Sequence, residues 1–579
     1  MNIQGYPYPF NMTTDQIIQL LKLTASLLEL HDENVFKIKS YNTAVFNLDK
    51  AVEDFSALPL AALEKMDGIG KSLAQKIDAI IRVGSFEELD QLLAKTPAGV
   101  LEMMNIKGIG PKKVRSIWKT LGIESLDDLL SACEAGKIAA LKGFGDKTQE
   151  TIMQGIQFKA AQKGKLLFAQ AELVANNLMI YLQNAGIQQL SMVGELRRKL
   201  EIIETLQILV VTMPGIVVHE LLNQLPYLSV DALQGGPFVW KGVEQTSLCK
   251  VEVRLCKEAD FVKELMIQTG SLAHLQQEVE AGKSILSFIK QNKADSEEAM
   301  FAQMGMQNIA PELREGTFEV PLAKLHQLPT LVNLADLKGI LHNHSTYSDG
   351  KHTLAQMATY CKSLGYEYLG ICDHSKSAQY AGGLYEEKVL LQHQEIDLLN
   401  TQLAPFKIFK GIESDILNDG SLDYAPEVLG SFDFIVASIH SNLKMDIQKA
   451  TNRLLRAIEN PYTTMLGHPT GRLLLRREAY PIDHKVIIDA CAANHVIIEI
   501  NANPRRLDLD WRWVHYALEK GVMLSINPDA HEMNGYHDMY YGVCVGRKGG
   551  LSADMTFNAL SCSEVAAKFL QKKTNNFAT

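Results

Sequence analysis

Seven short apolar runs rich in β-forming residues follow one another after residue 338, and most of them end in histidine, aspartate or glutamate. Helical patterns alternate with these runs, and an alternation of strand and helix predicts a parallel α/β arrangement. In a closed parallel barrel the carboxyl ends of the strands converge on one rim, where active sites form. Polar side chains about 190 residues apart along the chain are therefore expected to meet in space.

The first of these runs, "GILHNHS", shows why the polar residues are candidates for metal binding. His342 and His344 are two residues apart, so a strand directs both imidazoles to the same side. The other runs add side chains of the same chemical kind. Together they give nine candidate ligands: His342, His344, Asp349, His374, Glu413, His440, His468, Asp529 and His531.

The composition of this set favours several ions over one. Six histidines, two aspartates and one glutamate exceed what a single ion requires, so two or three divalent ions are expected. Imidazoles and carboxylates without thiolates suit Mn, Zn or Fe. A lone histidine after a strand is usually an ordinary polar residue, but nine such groups at successive strand ends are difficult to obtain by chance. Clustered ions activate water and hold phosphate oxygens, so the pattern predicts a metal-dependent phosphoesterase.

Residues 1–165 have helical periodicity, and within them a glycine–apolar–glycine turn precedes a helix three times. Two glycines permit a tight hairpin, and the free N–H groups at the start of the next helix can face a phosphate. This helix-hairpin-helix pattern holds nucleic-acid backbone without reading bases. An alternative is a helical bundle in which the glycines only form corners. The candidate DNA-binding residues are Gly68, Gly70, Lys71, Gly108, Gly110, Lys112, Lys113, Gly143, Gly145 and Lys147.

The other boundaries follow from changes in the pattern of elements. Residues 166–320 mix helices with strands such as "LQILVVTM" and "SLCKVEVRL", and residues 321–337 are expected to form a short linker. The region with the α/β rhythm spans residues 338–579. The chain is thus expected to be multidomain, with an all-α N-terminal region, an α+β middle region and a C-terminal α/β barrel.

Composition bears on partners and compartment. The net charge is −10 and the pI about 5.9, so the whole chain is not an obvious binder of polyanions, although a local surface can differ from the average. The eight cysteines are scattered without a CxxC pair, which in a large chain indicates reduced thiols. The sequence shows neither a signal peptide nor an apolar run long enough for a membrane span. A soluble, cytoplasmic, monomeric protein without membrane contact is expected.

The series "HNHSTYSDG", "ICDHS", "GIESD", "IHS", "GHP" and "NPDAH" resembles the polymerase and histidinol phosphatase (PHP) domain, over about residues 338–570. That family has a distorted (β/α)7 barrel with a trinuclear metal site, and each of its ligand positions is filled here. Spacing alone gives only convergence, whereas the resemblance implies a division among three metals. The first is held by His342, His344, Glu413 and Asp529, the second by Glu413, His440 and His468, and the third by Asp349, His374 and His531.

Further polar residues accompany the ligands. Asp373, Glu499 and Asn501 are expected to support the ligands from outside. Arg472 and Arg505, just beyond strand ends, are candidates for holding a phosphate, and solvated loop arginines are the alternative. Asp373, Arg472 and Arg505 are thus the candidate catalytic residues that are not ligands.

Hairpin repeats, a mixed region and this barrel together resemble the bacterial family X DNA polymerases over the whole chain. The stretches "TGSLAHL" (269–275) and "APELREG" (310–316) are the more telling markers. The resemblance implies a nucleotidyltransferase-like palm and thumb in the middle region. The palm of that family carries a Gly-Ser loop with paired arginines, and three aspartates that hold two magnesium ions.

The stretch "VGELRRKLEIIETLQILVV" departs from that pattern. Glu195 replaces the serine, and its charge would repel a triphosphate. Thr205 and Gln207 stand where two aspartates belong, and Glu252 stands at the third position. Neutral groups at two of three positions cannot balance two hard cations, so a degenerate polymerase site without Mg is expected. An alternative is that Glu204 and Glu252 rebuild a metal site, although strand alternation turns Glu204 to the other face. The positions that are kept are Gly194, Arg197, Arg198 and Glu201.

The leading prediction is a metal-dependent 3′→5′ exonuclease in DNA repair, with activity extending to abasic or blocked 3′ ends. Its partner is expected to be the DNA backbone near 3′ ends, bound weakly and in a salt-sensitive way because the chain is acidic. The direction of digestion and a manganese preference come from the resemblance alone. Three alternatives stay open: a gap-filling polymerase with a rebuilt metal site, a PHP-type small-molecule phosphatase, and a non-catalytic DNA-binding scaffold.

Overall fold

A computed structural model describes residues 12–51, 54–231 and 234–577 of the chain. The chain separates into two compact units, Met1–Lys163 and Gly164–Thr579. Within the described residues, no helix combines the length and the apolar character that crossing a membrane requires.

The first unit is helical throughout its described part. Its helices are amphipathic: α4, for example, buries Leu73, Ala74, Ile77 and Ile80 along one face. Thr13 begins the first helix with a capping box that it forms with Gln16. The helices are α1 Thr14–Leu30, α2 Val35–Asp49, α3 Leu60–Leu63, α4 Lys71–Val83, α5 Glu87–Ala94, α6 Ala98–Met103, α7 Pro111–Leu121, α8 Leu126–Glu134 and α9 Asp146–Gln162.

The second unit begins with a mixed region. Its elements are β1 Leu166–Leu167, α10 Phe168–Asn184, β2 Leu190–Val193, α11 Gly194–Arg197, β3 Ile202–Ile203, β4 Thr205–Val211, α12 Val218–Asn223, β5 Leu228–Val230, β6 Val239–Glu244, β7 Lys250–Cys256, α13 Phe261–Thr269, α14 Leu272–Gln276, β8 Glu278–Glu280, β9 Lys283–Ser284, α15 Ile285–Gln291, α16 Glu297–Gln303 and α17 Glu319–Lys324. Five strands form one sheet in the order β2-β4-β7-β6-β5, in which only β4 and β7 are parallel neighbours. Apolar residues of α10 pack into the same core as β4 and β7.

The remainder of the second unit alternates strands with helices. Its elements are β10 Gly339–Ile340, α18 Leu354–Ser363, β11 Tyr368–Ile371, α19 Glu386–Leu403, β12 Lys407–Asp415, α20 Pro426–Leu429, β13 Phe434–Ser438, α21 Ile447–Ile458, β14 Met465–Leu466, α22 His484–Ala493, β15 Ile497–Asn501, α23 Trp511–Glu519, β16 Leu524–Asn527, α24 Met539–Lys548 and α25 Cys562–Phe577.

These strands form a seven-stranded parallel sheet in chain order, from β10 to β16. Their residues are almost entirely buried, because helices cover the outside and side chains fill the inside. Beyond the first and last strands, the His344 N–H donates to the Ala530 carbonyl (2.8 Å) and the Asp529 N–H donates to the His342 carbonyl (3.1 Å). The sheet is thereby nearly closed at its carboxyl rim, and the predicted fold class, (β/α)7 barrel included, is confirmed.

The segment predicted to be a linker, residues 321–337, packs against its neighbours. It begins inside α17, where Val320 and Ala323 are buried. Farther on, Val332 is buried and donates its N–H to the Leu551 carbonyl at 2.9 Å. The mixed region and the barrel share one compact unit, so the boundaries proposed between them remain predictions.

Candidate functional site

The nine candidate ligands gather at the carboxyl rim of the barrel. His342 and His344 follow β10, His374 follows β11, and Glu413 lies near the end of β12. The remaining ligands come from the segments after β10, β13, β14 and β16, and they are Asp349, His440, His468, Asp529 and His531. Because every strand runs in the same direction, ligands from distant parts of the chain reach one place.

Glu413 lies at the centre of the cluster. Its Oε1 is 3.0 Å from His468 Nε2 and 3.1 Å from His440 Nε2. Its Oε2 is 3.0 Å from His374 Nδ1 and 3.6 Å from His344 Nε2. The side chain is 1% exposed. Both oxygens of this buried carboxylate thus have imidazole nitrogens beside them.

Two aspartates face other imidazoles of the cluster. Asp529 Oδ1 is 3.0 Å from His344 Nε2 and 3.7 Å from His342 Nε2. Asp349 Oδ1 is 3.4 Å from His531 Nε2 and 3.7 Å from His374 Nε2. Each carboxylate thus has at least two ring nitrogens nearby.

Ligand atoms lying within 4.8 Å of one another define three groups. The groups are His344, Asp349, His374 and His531; His342, His344 and Asp529; and His374, Glu413 and His440. His344 and His374 each occur in two groups, since their two ring nitrogens face different carboxylates. The division among three metals that the family resemblance implies therefore stays a prediction.

The donor set fits divalent cations. Several buried ligand atoms of the described cluster lie close to one another but form no hydrogen bond of acceptable angle: His342 Nε2, His344 Nδ1, His374 Nδ1, Glu413 Oε2 and His468 Nδ1. A buried polar atom without a partner costs about 1–3 kcal/mol, so this concentration at one place calls for a ligand. Imidazole nitrogens and carboxylate oxygens suit borderline divalent ions such as Mn, Zn and Fe. The cluster is compatible with a divalent metal site.

Outer partners orient the imidazoles. The His342 Nδ1–H donates to Glu499 Oε1 at 2.6 Å, and the His440 Nδ1–H donates to Asp415 Oδ1 at 2.5 Å. His531 likewise donates from Nδ1 to a main-chain carbonyl at 2.9 Å. In all three rings Nε2 is left facing the inner carboxylates, which is the usual way in which proteins fix the tautomer of a metal-binding histidine.

Electrostatics at the cluster follow from burial and opposing charges. Burial disfavours the charged carboxylate of Glu413, but the surrounding imidazoles hold its pKa well below the usual range. Burial also opposes the imidazolium of His440, yet Glu413 and Asp415 raise its pKa to about 10. His344 behaves in the opposite way, since burial and the neighbouring imidazoles of His531 and His374 lower its pKa to about 3. Without an ion, protons on selected histidines balance the carboxylates.

Asp373 supports the loop after β10. Its carboxylate is fully buried and accepts hydrogen bonds from Ser345 N (2.8 Å), Ser345 Oγ (2.7 Å), Ser348 Oγ (2.5 Å) and Gln392 Nε2 (2.6 Å). Burial raises the pKa of Asp373 although these hydrogen bonds act against that shift. Its contacts hold the segment that follows His344, so Asp373 stays a candidate for positioning this segment.

The loop arginines occupy other places than the sequence suggested. Arg472 donates from Nη1 to Asp510 (2.5 Å), from Nε to the Arg506 carbonyl (2.8 Å) and from Nη2 to the Leu507 carbonyl. These contacts engage all three guanidinium nitrogens within the loop. The side chain of Arg505 is exposed. Its neighbour Arg506 instead lies at the cluster, with Nε 3.3 Å from an oxygen of Asp529.

Three further residues lie at the site: Asp415, Arg506 and Tyr380. Asp415 orients His440, and Arg506 faces the cluster. Tyr380 is 72% exposed, and its ring centroid lies 6.1 Å from that of His374. The motif "GIESD" contained a signal for the first, because the acidic residue two positions after Glu413 shares its strand face. In "NPRRLD", no regular alternation of apolar and polar residues indicates which of the two adjacent arginines faces the site.

The hairpin glycines have the backbone that a tight turn requires. Gly68, Gly108 and Gly143 have φ angles of +74°, +95° and +88°, a region that glycine enters without steric cost. Gly70 and Gly110 precede α4 and α7, and a Cβ on either would meet nothing within 4 Å. The helix starts are thus open to a backbone phosphate.

The third hairpin differs from the first two in backbone conformation. Gly145 has a φ angle of +78°, whereas the equivalent glycines before α4 and α7 are extended. Lys71, Lys112 and Lys147 are exposed next to the turns. Lys113 is half-buried, with Nζ 5.5 Å from the Phe144 ring. Exposed cations beside open helix starts are compatible with the DNA-binding role expected of these motifs.

In the middle region, the three positions that the family resemblance assigns to carboxylates are close in space, but only Glu252 carries one. The parallel pairing of β4 with β7 places Gln207 beside Glu252, and Thr205 beside Lys250. The carboxylate of Glu252 pairs with Arg254 Nε at 2.5 Å. A protein cation thus neutralises the one carboxylate that the three positions retain.

The loop before these strands is closed by its own side chains. Glu195 Oε2 accepts the N–H groups of Glu204 (2.7 Å) and Thr205 (3.2 Å). Gln207 covers Gly194, since a Cβ on that glycine would lie 1.8 Å from Gln207 Oε1. The exposed carboxylate of Glu204 pairs at 2.8 Å with Lys165, the residue immediately before β1. Nothing in these contacts brings Glu204 and Glu252 together. The paired arginines of this loop, Arg197 and Arg198, bind Glu297 and Glu315.

Comparison with known proteins agrees with this architecture. A helix-hairpin-helix domain model matches residues 12–86, a SAM-like helix-hairpin-helix tandem model matches residues 100–157, and a PHP domain model matches residues 341–503. A probable phosphatase of Thermoanaerobacter sp. (strain X514) is 25% identical over 235 residues, which are 38% of this chain and 91% of that protein.

A relative that spans the whole chain is the DNA polymerase/3′-5′ exonuclease PolX of Bacillus subtilis (strain 168). The two are 34% identical over 573 residues, which cover 97% of this chain and all of the relative. With its helix-hairpin-helix domains and its C-terminal PHP barrel, the chain belongs to the family X DNA polymerases of the PolX type.

Proposed function

We propose that this family X protein is a metal-dependent 3′→5′ exonuclease that serves DNA repair, and that its polymerase activity has been lost. The contrast between its two sites carries the proposal. At the barrel rim Glu413 and eight other donor side chains gather in one cluster, whereas in the palm two of the three carboxylate positions are Thr205 and Gln207. The B. subtilis relative, whose name includes both activities, supports the general class of reaction.

The side chains of the rim have distinct parts in this reaction. The nine residues would hold two or three divalent cations, which when bound lower the pKa of a water molecule and offset the charge of the phosphate. Glu499 and Asp415 keep His342 and His440 in the ligating tautomer. Arg506 faces the same space and can donate to a non-bridging phosphate oxygen.

Two further features are suited to binding the end of a DNA strand. The exposed ring of Tyr380 beside His374 offers a face on which a terminal base can stack. The hairpins bind backbone phosphates through helix N-termini and lysines, independently of sequence. Because phosphate contacts carry no base information, we expect digestion with little sequence preference.

The palm supports loss of nucleotidyl transfer. Two magnesium ions need several anionic ligands. Here Glu252 is paired with Arg254, Glu204 with Lys165, and Glu195 with main-chain N–H groups. Glu204 and Glu252 are therefore both paired with protein cations, which argues against a metal site rebuilt from these two carboxylates. Magnesium is not expected in the palm.

A second candidate is hydrolysis of small phosphomonoesters. It is favoured by the similarity of the barrel to probable phosphatases, which lack most of the rest of this chain. Three hairpins that bind nucleic-acid backbone have no use in such an enzyme. Turnover of a 3′-tailed duplex compared with that of a phosphomonoester separates the two candidates.

The proposal is tested by the double variant His344→Ala, Asp529→Ala, which removes a ligand pair 3.0 Å apart. We expect hydrolysis of 3′-labelled DNA to fall at least about a thousandfold, because the ions lose their anchor, and DNA affinity to stay within about twofold. The matched control His495→Ala, Asp397→Ala removes the same residue types from exposed positions of the barrel. Full hydrolysis by the His344, Asp529 variant would refute the barrel as the nuclease site.

A further inference from the structure

An unbroken series of polar contacts connects the middle region to the candidate metal cluster. It starts at Glu201, a position kept from the polymerase pattern, and ends at an aspartate of the cluster. The contacts are Glu201 Oε1 to Arg512 Nη1 (2.8 Å), Arg512 Nη1 to Asp510 Oδ1 (2.9 Å), Asp510 Oδ2 to Arg472 Nη1 (2.5 Å), Arg472 Nε to the Arg506 carbonyl (2.8 Å) and Arg506 Nε to Asp529 Oδ2 (3.3 Å).

Most members of this series are shielded from solvent. The side chains of Glu201, Asp510, Arg472 and Arg506 are 11%, 15%, 13% and 18% exposed. The second oxygen of Glu201 accepts the Trp511 indole N–H at 3.0 Å. Arg512, the charge that pairs with Glu201, is 52% exposed, but Trp511 is buried, and removal of Glu201 would leave its indole N–H without this acceptor, which is costly. Truncation of Glu201 is thus expected to disturb the groups behind it.

The loop from β15 to α23 depends on these contacts. It forms no helix or strand of its own between Asn501 and Trp511. Leu507 has a φ angle of +45°, a strained backbone for a residue with a Cβ. Arg472 binds the carbonyls of Arg506 and Leu507 and so holds the loop in this conformation. Asp510, which anchors Arg472, is also the N-cap of α23.

The start of α23 is fixed against the middle region from a second side. Lys548 of α24 is 1% exposed and donates from Nζ to the Arg198 carbonyl at 2.9 Å. The same Nζ lies 4.4 Å from the centroid of the Trp511 ring. The indole is therefore held between Lys548 and Glu201. The middle region and the barrel belong to one compact unit, so this contact can transmit position.

We propose that Glu201 is a positioning residue for the barrel reaction. By binding Trp511 and Arg512 it fixes the start of α23, and through Asp510 and Arg472 it fixes the loop that presents Arg506 to the cluster. A residue of the former polymerase loop thus serves phosphoester hydrolysis. The effect on activity rests on the function proposed above, whereas the effect on the loop does not.

The test compares Glu201→Ala with Glu172→Ala. Glu172 is a matched control, because it also joins the middle region to the barrel, accepting from Lys199 (3.3 Å) and Tyr540 (2.7 Å), but has no contact with the α23 start. We expect Glu201→Ala to lower kcat/KM on 3′-tailed DNA on the order of tenfold, and Glu172→Ala to leave it within about twofold. Glu201→Gln keeps one of the two acceptor oxygens but loses the charge. Its kcat/KM should lie between those of Glu201→Ala and Glu172→Ala.

A double-mutant cycle with Arg506→Ala distinguishes positioning from general destabilisation. Once Arg506 is gone its placement no longer matters, so Glu201→Ala should then cost less than about twofold. Equal costs of Glu201→Ala in both backgrounds would overturn the proposal. The proposal would also be overturned if Glu201→Ala and Glu172→Ala lowered kcat/KM by the same factor.

Hydrogen–deuterium exchange of residues 502–510 is the readout that does not depend on activity. The Arg506 and Leu507 amides donate to the Asn503 carbonyl, at 2.7 and 3.1 Å. We expect Glu201→Ala to speed their exchange on the order of tenfold, with no change in the Glu172 control. Unchanged exchange would contradict the proposal. If the wild-type protein hydrolyses no DNA, the proposed function fails, and the exchange result alone decides the role of Glu201.

Discussion

Glu413 is the residue around which the candidate metal centre is organised. Imidazole nitrogens lie within 3.0–3.6 Å of its two oxygens, and it is almost fully buried. At this scale the outer partners matter as much as the donors, because an imidazole can bind an ion only with the correct nitrogen free. Asp415 performs that task for His440, and Glu499 performs it for His342.

The variant Asp415→Asn tests this division of labour. It retains the size of the side chain but removes the charge that holds the His440 Nδ1 proton. We expect the affinity for Mn²⁺ to fall about 10- to 100-fold, measured by calorimetry on the metal-free protein. Asp397→Asn, which alters an exposed ion pair with Lys410, is the control. Unchanged affinity in Asp415→Asn would show that Asp415 does not position His440 for metal binding.

Proton balance gives a second prediction for single residues. Burial opposes the charged form of both rings, but Glu413 raises the pKa of His440 to about 10 and Asp349 raises that of His531 to about 9. Both are therefore protonated at neutral pH in the metal-free protein, whereas a bound ion needs neutral imidazoles. Rising pH removes the competing protons, so Mn²⁺ affinity should increase from pH 6.5 to 8.5. Calorimetry in two buffers of different ionisation enthalpy should show proton release, and pH-independent affinity would contradict this assignment.

At the scale of elements, we expect the helix-hairpin-helix turns to bind DNA and the barrel rim to carry out the proposed hydrolysis. The turns before α4 and α7 present open helix starts with exposed lysines. The rim presents the donor cluster. Each is built on regular elements, so changes in one are expected to leave the other intact.

Charge reversal in the hairpins tests this independence. We expect Lys71→Glu combined with Lys112→Glu to weaken DNA binding about tenfold or more at low salt, and to reduce the slope of log affinity against log salt by about two. Hydrolysis at saturating DNA should be unchanged. Lys568→Glu, an exposed position of α25, is the control for net charge. A slope that stays constant would mean that these lysines do not contact phosphates.

Elements also differ in how well their structure can be predicted from the sequence. The barrel is predictable because each buried parallel strand is a continuous apolar run, and the polar residue after the run marks the rim. The loop from β15 to α23 is not, because its conformation depends on Arg472, on a left-handed Leu507 and on Glu201 from another region. For that reason the sequence suggested Arg505 where the structure places Arg506 at the cluster.

At the scale of the molecule, charged residues of the middle region bind one another and the barrel. Arg197 and Arg198 pair with Glu297 and Glu315, and Glu201 pairs with Arg512 of the barrel. These ion pairs help to hold the second unit together. The family X architecture is retained, while the donor atoms suited to divalent ions are concentrated in the PHP barrel.

One experiment tests the central claim most directly. Metal content per chain is measured on protein purified without chelator, and the same sample is incubated with a 5′-labelled primer–template and all four deoxynucleotides. The account predicts two or three divalent ions, shortening of the primer from its 3′ end and no extension, with ions and shortening both lost in His344→Ala, Asp529→Ala. Primer extension, or shortening by protein that contains no ions, would contradict it.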